Sequence, residues 1–420
     1  MPDESAQVRG EGLVYDWNVL TAPQRPARGL RIHDETLRDG IQGPSVRDPD
    51  LEVKLRFLHL CEQLGVSSID LGLPGSGPRA VRDVQRLAEE IRDQRLRITP
   101  LCAARTLEVD IRPVAEISQR VGIAIEVAAF IGSSPIRQYA EGWTMQSMVD
   151  NTRSAVRFAR QAQLPVMYVT EDTTRAHPDT LAALYGTAIE EGAARICVSD
   201  TVGHSTPDGV RALVRHVREL ADRLNPDVGV DWHGHSDRGF GLINAIVAAV
   251  AGADRLHGCA LGLGERVGNT HLDLLLVNLR LLGWIDTDLS RLREMAELIA
   301  EGTGMPIPPN YPVIGRDAFR TATGVHAAAV IKAKRKGDEW LANRVYSGVP
   351  ADLFGCSQVI EIGPMSGESN VVFWLEERRI TPRPELIRAI MELAKRSDRV
   401  LTDVEIMARV SEIQRKPATA

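Results

Sequence analysis

Eight short apolar runs recur along the chain, each followed by a longer amphipathic stretch, and this alternation restricts the fold more than any other feature. The runs begin near Arg31 (RIHDETL), Ser67 (SSIDLGL), Leu96 (LRITPLCAA), Ile123 (IAIEVAAFI), Pro165 (PVMYVTE), Ala194 (ARICVSD), Val228 (VGVDWH) and Asp254 (DRLHGCA). Their Val and Ile content and short length mark them as strands. Between them, Leu51, Leu55, Leu58 and Cys61 fall at helical spacing, as do Val81, Val84, Leu87 and Ile91. Asp48 before Pro49 and Thr206 before Pro207 offer helix caps, with proline in the first turn. Eight strand–helix units in roughly 250 residues match a closed (β/α)8 TIM barrel, an α/β fold. An open doubly wound sheet alternates in the same way. The count of eight, and polar residues at every strand end, favour closure.

Residues 1–30 hold Pro, Gly and Arg without a period and read as an N-terminal arm. The barrel is expected over 31–284, with a linker and a mainly helical C-terminal subdomain over 285–420. Met305 to Gly315 carries four prolines and reads as a stiff linker. Residues 316–345 read as helical, and Val359 to Leu375 as strands around a turn. Two helices close the chain, about 383–397 and 403–415, the second opened by a Thr402–Glu405 capping box. The stretch after Leu375 is too short for a further regulatory domain, so none is expected.

Composition removes several function classes. A net charge of −6 gives no basic face for nucleic acid. The longest apolar stretch, Leu242 to Ala253, is too short for a membrane span, and no signal peptide is visible. The five cysteines form no CxxC pair and suit a reducing cytoplasm. A cytoplasmic enzyme acting on small molecules is expected.

The most informative segment is Asp231-Trp-His-Gly-His-Ser-Asp-Arg-Gly. His233 and His235 are two apart, so on a strand they share a face. Two imidazoles at the end of strand seven form a metal half-site. Asp39, at the end of strand one, can reach the same ion, because strands one and seven flank strand eight in a closed barrel. This N2O set suits Mg, Mn, Fe or Zn. Arg38 adjoins it and can clamp an oxyanion or carboxylate. Further polar groups end strand five (Glu171, Asp172, Arg175), strand six (Asp200, Thr201) and strand eight (Glu265, Arg266, Asn269). GLGERVGN follows the last strand and departs from the dinucleotide spacing, which argues against nicotinamide binding. Each residue also has a plainer use: backbone-bonded histidines, a turn aspartate, ion pairs at the barrel rim.

Together, ETLRDG on strand one, the HxH on strand seven, GERVGN after strand eight, EDTTR, DTVG, TGVH and SGESNV resemble the DRE-TIM metallolyase superfamily. Within it the chain is similar to the 2-isopropylmalate, homocitrate and citramalate synthases. The resemblance implies a Claisen-type condensation of acetyl-CoA with a 2-oxo acid, aided by a divalent ion (Mg, Mn or Zn), in amino-acid biosynthesis such as the leucine pathway. It implies Asp39, His233, His235 and Asn269 as metal residues. Arg38, Glu171, Glu265, His326 and Tyr346 match catalytic residues, His326 and Tyr346 reaching a partner subunit's site in a homodimer. Arg38, Thr201, Gln42, Arg137 and Ser134 are the implied substrate contacts.

Four positions depart from the family pattern: Ser236 after His235, Asp70 in place of Glu on strand two, Ala128 in place of His on strand four, and Arg137 after Ser134-Pro-Ile. They surround the pocket for the 2-oxo acid side chain. An apolar side chain suits Leu71 and Leu73; an acidic one, carboxylate or phosphorus acid, suits Arg137. An acyl-CoA lyase running the reverse reaction is the nearest rival, but such lyases carry a Cys-containing loop where this chain has GERVGN. A non-enzymatic barrel would need a broken metal set, and the set is intact.

Overall fold

The computed structural model describes residues 12–19 and 25–415. Strands β1 (Arg31–Asp34), β2 (Ser68–Asp70), β3 (Thr99–Arg105), β4 (Glu126–Gly132), β5 (Val166–Glu171), β6 (Arg195–Asp200), β7 (Gly229–Gly234) and β8 (Arg255–Gly258) close a barrel in sequence order. The choice between barrel and open sheet is decided at β1, which pairs in parallel with both β2 and β8. Arg31 to Asp34 lie opposite Arg255 to Gly258.

The strands are wrapped by helices and buried on both faces, as β7 shows along its whole length. The helix Pro78–Gln94 turns Val84, Leu87, Ala88 and Ile91 inward on one stripe and leaves its charges outside. Thr206 caps the helix Pro207–Leu224 as expected, accepting from the Gly209 N–H. The helix Leu51–Gln63 starts later than Asp48 implied. Asp50 accepts from the Val53 N–H at 3.1 Å, and Asp48 sits 2.6 Å from Lys54 Nζ instead.

The barrel interior is lopsided. Leu101, Ala128, Met167 and Cys197 form an apolar layer on β3 to β6. The sector from β7 through β8 to β1 carries buried Asp231, His233, Arg255, His257, His33 and Glu35.

The described residues fall into two compact units, one running from 25 to Pro306 and one combining 12–19 with Ile307 onward. Of the arm expected over 1–30, residues 1–11 and 20–24 lie outside the described residues. The barrel unit continues past Trp284 through the helix Leu292–Thr303, whose Leu292, Met295, Ala296 and Ile299 are buried.

Met305 to Gly315, from the end of the barrel unit into the second unit, holds neither helix nor strand. β9 (Arg320–Thr321) pairs in parallel with β10 (Val359–Ile360), so the stretch read as helical from 316 begins with a strand. The helices are Gly324–Arg335, Glu339–Ala342, Glu368–Glu377, Pro384–Arg396 and Asp403–Arg415. The expected strands over Val359 to Leu375 are corrected to one short strand and a helix. Asn370 Oδ1 accepts from the Gly367 N–H and starts the turn. Val371, Trp374 and Leu375 then fall on one helical stripe and enter the unit's core with Leu386 and Ile390. The Thr402 cap forms as expected, with its N–H donating to Glu405 Oε2 at 2.8 Å. Among the described residues no helix is long and apolar enough to cross a membrane.

Candidate active site

Asp39, His233 and His235 converge at the C-terminal mouth of the barrel. Period two on β7 turns both imidazoles to one side, and closure through β8 brings β1 beside them. Asp39 Oδ2 lies 3.3 Å from His233 Nε2 and 3.5 Å from His235 Nε2. All three are buried with their ligand atoms within 4.8 Å of one another. Asp39 precedes a short 3-10 turn, yet its side chain makes no cap hydrogen bond. Burial alone would raise its carboxyl; Arg38 and the two histidines outweigh that and hold it well below the usual range.

Asn269 joins the group through an isolated bridge to His235. Its Nδ2 donates to the Leu263 carbonyl at 3.0 Å, while its buried Oδ1 has no hydrogen-bond partner among the described residues. A hard cation takes such an amide oxygen. Gly268, with φ of +87°, shapes the loop before Asn269; a Cβ there would strike the Gly262 carbonyl.

The donor set tests whether a metal fits. Asp39, His233 and His235 offer one carboxylate and two imidazole donors, all buried and close enough to share one ion. The unpartnered Asn269 Oδ1 stands beside them, and a buried polar atom left without a partner is costly. A mixed nitrogen and oxygen set of this kind fits a divalent cation.

Arg38 is gripped by three carboxylates. Its Nε donates to Asp70 Oδ2 at 3.0 Å, Nη1 is 3.5 Å from Asp39, and Nη2 contacts Glu35. It lines a cavity of about 220 Å³ together with Gln42, Glu171, Thr201, Glu265, His233 and His235. The facing wall is apolar: Leu73, Ala103, Ala128, Phe130, Met167 and Val169. Thr201 Oγ1 accepts from the Asp172 N–H at 2.8 Å. Burial raises the Glu171 carboxyl, against the pull of Arg137 and Arg38.

Two expected substrate contacts, Ser134 and Arg137, are not among the residues lining this cavity. Ser134 is buried as the N-cap of Pro135–Glu141, accepting from the Arg137 N–H, and does not line the cavity. Arg137 stands at the rim, 3.1 Å from Glu141 and 3.6 Å from Glu171. His326 and Tyr346 belong to the second unit, where their exposed rings stack with centroids 4.2 Å apart.

Sequence reasoning missed Glu35, His257, Asp231 and Arg255. His257 Nδ1 lies 2.7 Å from Glu35 Oε1, and its Nε2 lies 2.9 Å from Asp231 Oδ2. Asp231 is bonded to Arg195 and Arg255. The available signal was parity: Asp231 lies two before His233 and so faces the same interior.

The HMGL-like family profile matches residues 29–299. Homocitrate synthase AksA of Methanopyrus kandleri is 31% identical over 367 residues, spanning 87% of this chain and 86% of that protein. A 2-isopropylmalate synthase of Sulfurisphaera tokodaii is 30% identical over 394 residues, spanning 92% and 96%. The putative (R)-citramalate synthase CimA of Methanopyrus kandleri is 29% identical over 401 residues, spanning 94% and 74%. Among solved structures, an HMG-CoA lyase from Bacillus subtilis superposes with a TM-score of 0.56 at 21% identity, covering 68% of this chain and 96% of the lyase. That last likeness concerns the fold.

Proposed function

The chain belongs to the HMGL-like family, and from that premise we propose that it condenses acetyl-CoA with a 2-oxo acid bearing a compact apolar side chain. The products are a 2-alkylmalate-type acid and free CoA, as for a 2-isopropylmalate synthase. The observation that carries this reading is the convergence of Asp39, His233 and His235 beside Arg38, in a cavity whose facing wall is apolar. Relatives named as isopropylmalate, homocitrate and citramalate synthases support the condensation of acetyl-CoA with a 2-oxo acid. An acidic side chain would call for Arg137, which Glu141 and Glu171 already hold at the rim.

Asp39, His233 and His235, with Asn269 adjacent, would hold a divalent ion, and that ion would supply Lewis acidity at the ketone. Arg38 donates to the ketone oxygen as charge develops on it. Thr201 holds the 2-oxo acid carboxylate from the end of β6. Ala103, Ala128, Phe130, Met167 and Val169 exclude water from its side chain. A base removes a proton from the acetyl methyl carbon, which bonds to the ketone carbon; the ketone oxygen becomes a hydroxyl. Water then cleaves the thioester, leaving a carboxylate and the CoA thiol. We assign the base to His326 of a second copy, paired with Tyr346, and proton handling at the rim to Glu171 and Glu265. Imidazole is the side-chain base suited to neutral pH. The exposure and mutual stacking of His326 and Tyr346 support the assignment.

The test is release of free thiol from acetyl-CoA. It is expected only when protein, divalent ion and a 2-oxo acid are all present. Release that does not depend on the 2-oxo acid contradicts condensation.

A further inference from the structure

We infer that Glu35 is a positioning residue for the metal site: it accepts the Nδ1 proton of His233 and so turns His233 Nε2 toward Asp39. The inference rests on the reading of Asp39, His233 and His235 as metal ligands. His233 Nε2 lies 3.3 Å from Asp39 Oδ2, and its Nδ1 lies 3.4 Å from Glu35 Oε1. A neutral imidazole has one N–H and one lone pair. A ring that offers Nε2 to a cation must therefore carry its proton on Nδ1, and Glu35 is the carboxylate found there. Carboxylates in that place fix the tautomer and orientation of metal-binding histidines.

Glu35 is itself held in place. It is 3% exposed. Arg38 Nη2 contacts its Oε2, and His257 Nδ1 lies 2.7 Å from its Oε1. His257 Nε2 in turn lies 2.9 Å from Asp231, which Arg195 and Arg255 grip. A ligand on β7 is thus oriented by a carboxylate following β1, anchored through β8 to the strand starts. The same carboxylate touches Arg38, so one residue sets both the metal ligand and the arginine placed to meet the ketone oxygen.

His33, Glu35 and His257 also lie close enough to hold an ion of their own. The contacts already made count against that use: Arg38 and His257 occupy the Glu35 carboxylate.

The full chain, stripped with a chelator, is titrated with Co2+ and followed by its visible absorption, with thermal unfolding measured alongside. Wild type is expected to bind one ion per chain. Glu35→Ala should bind roughly 10- to 100-fold more weakly. Glu35→Gln, which keeps an acceptor oxygen at the same length, should recover part of that loss. A second readout needs no variant: in Zn2+-loaded wild type, 15N NMR of His233 should show the proton on Nδ1. The inference is overturned by a folded Glu35→Ala protein with unchanged Co2+ affinity, or by a His233 proton on Nε2. It is also overturned if two ions bind and only the second is lost in Glu35→Ala. If wild type binds no ion, the metal reading itself falls and this inference falls with it. If wild type binds and Glu35→Ala binds equally well, only the role of Glu35 falls.

Discussion

Asp39 Oδ2 lies 3.3 Å from His233 Nε2, across the seam where β8 separates their strands. Only a closed barrel brings the end of the first strand to the end of the seventh. The pair therefore links the fold to the chemistry, and it yields the first prediction. Asp39→Asn and His235→Ala should each abolish stoichiometric metal binding at micromolar ion. Turnover should fall by more than the roughly 10- to 100-fold that loss of an outer partner costs. Dialysis against metal with elemental analysis, beside the thiol assay, checks both.

The apolar wall makes a prediction about selectivity. Ala128 packs in the inner layer with Leu101, Met167 and Cys197 and also lines the cavity. Ala128→Leu should penalise a branched 2-oxo acid relative to pyruvate. One misfitted methylene changes discrimination by about 10- to 200-fold, and kcat/KM ratios for the two acids measure it.

Much of this arrangement is legible in the sequence, for identifiable reasons. The eight strands are visible because burial on both faces demands continuous apolar runs. The His233–His235 pair is visible because a period of two needs no partner strand to be read. Glu35 and His257 are not visible, since their meeting depends on the β1–β8 register that puts His33 opposite His257. The helix Glu368–Glu377 was hidden by strand-favouring Val371, Val372, Phe373 and Trp374. There the Asn370 cap and a helical stripe outweighed local propensity. Ser134 is a cap because Pro135 follows it, a signal present but overshadowed by the family pattern.

Arg137 and Glu171 give a pH prediction. Burial raises the Glu171 carboxyl and Arg137 opposes it. Arg137→Ala removes the opposing charge, so Glu171 should stay protonated to higher pH. If ionised Glu171 is needed, the acid limb of the kcat profile moves to higher pH while activity on apolar 2-oxo acids survives at the optimum. An unshifted limb rules Glu171 out as the group behind it.

Asp34 gives a stability prediction independent of the site. Burial pushes its carboxyl up to about 7, against hydrogen bonds from Thr36. The folded state therefore holds that proton more tightly than the unfolded state, whose ordinary carboxyl ionises near 3.8. On this group's account stability falls as pH rises from about 4 to about 7 and then levels. Asp34→Asn should flatten that slope, as read from urea midpoints at pH 4.5 and 8.

His326 tests the sharing of sites between copies. His326→Ala should lower kcat more than it raises KM. Mixing inactive His326→Ala and Asp39→Asn chains under exchange should restore part of the activity, because one mixed site regains both residues. No recovery, with exchange shown by mass, contradicts the assignment.

The most direct measurement is a substrate panel. Metal-loaded protein and acetyl-CoA are offered pyruvate, 2-oxoisovalerate and 2-oxoglutarate, with CoA release followed by a thiol reagent and products by mass. The account predicts metal-dependent release with the highest kcat/KM for 2-oxoisovalerate and a product of isopropylmalate mass. A preference for 2-oxoglutarate contradicts the apolar side-chain reading, and no release with any 2-oxo acid contradicts the condensation itself.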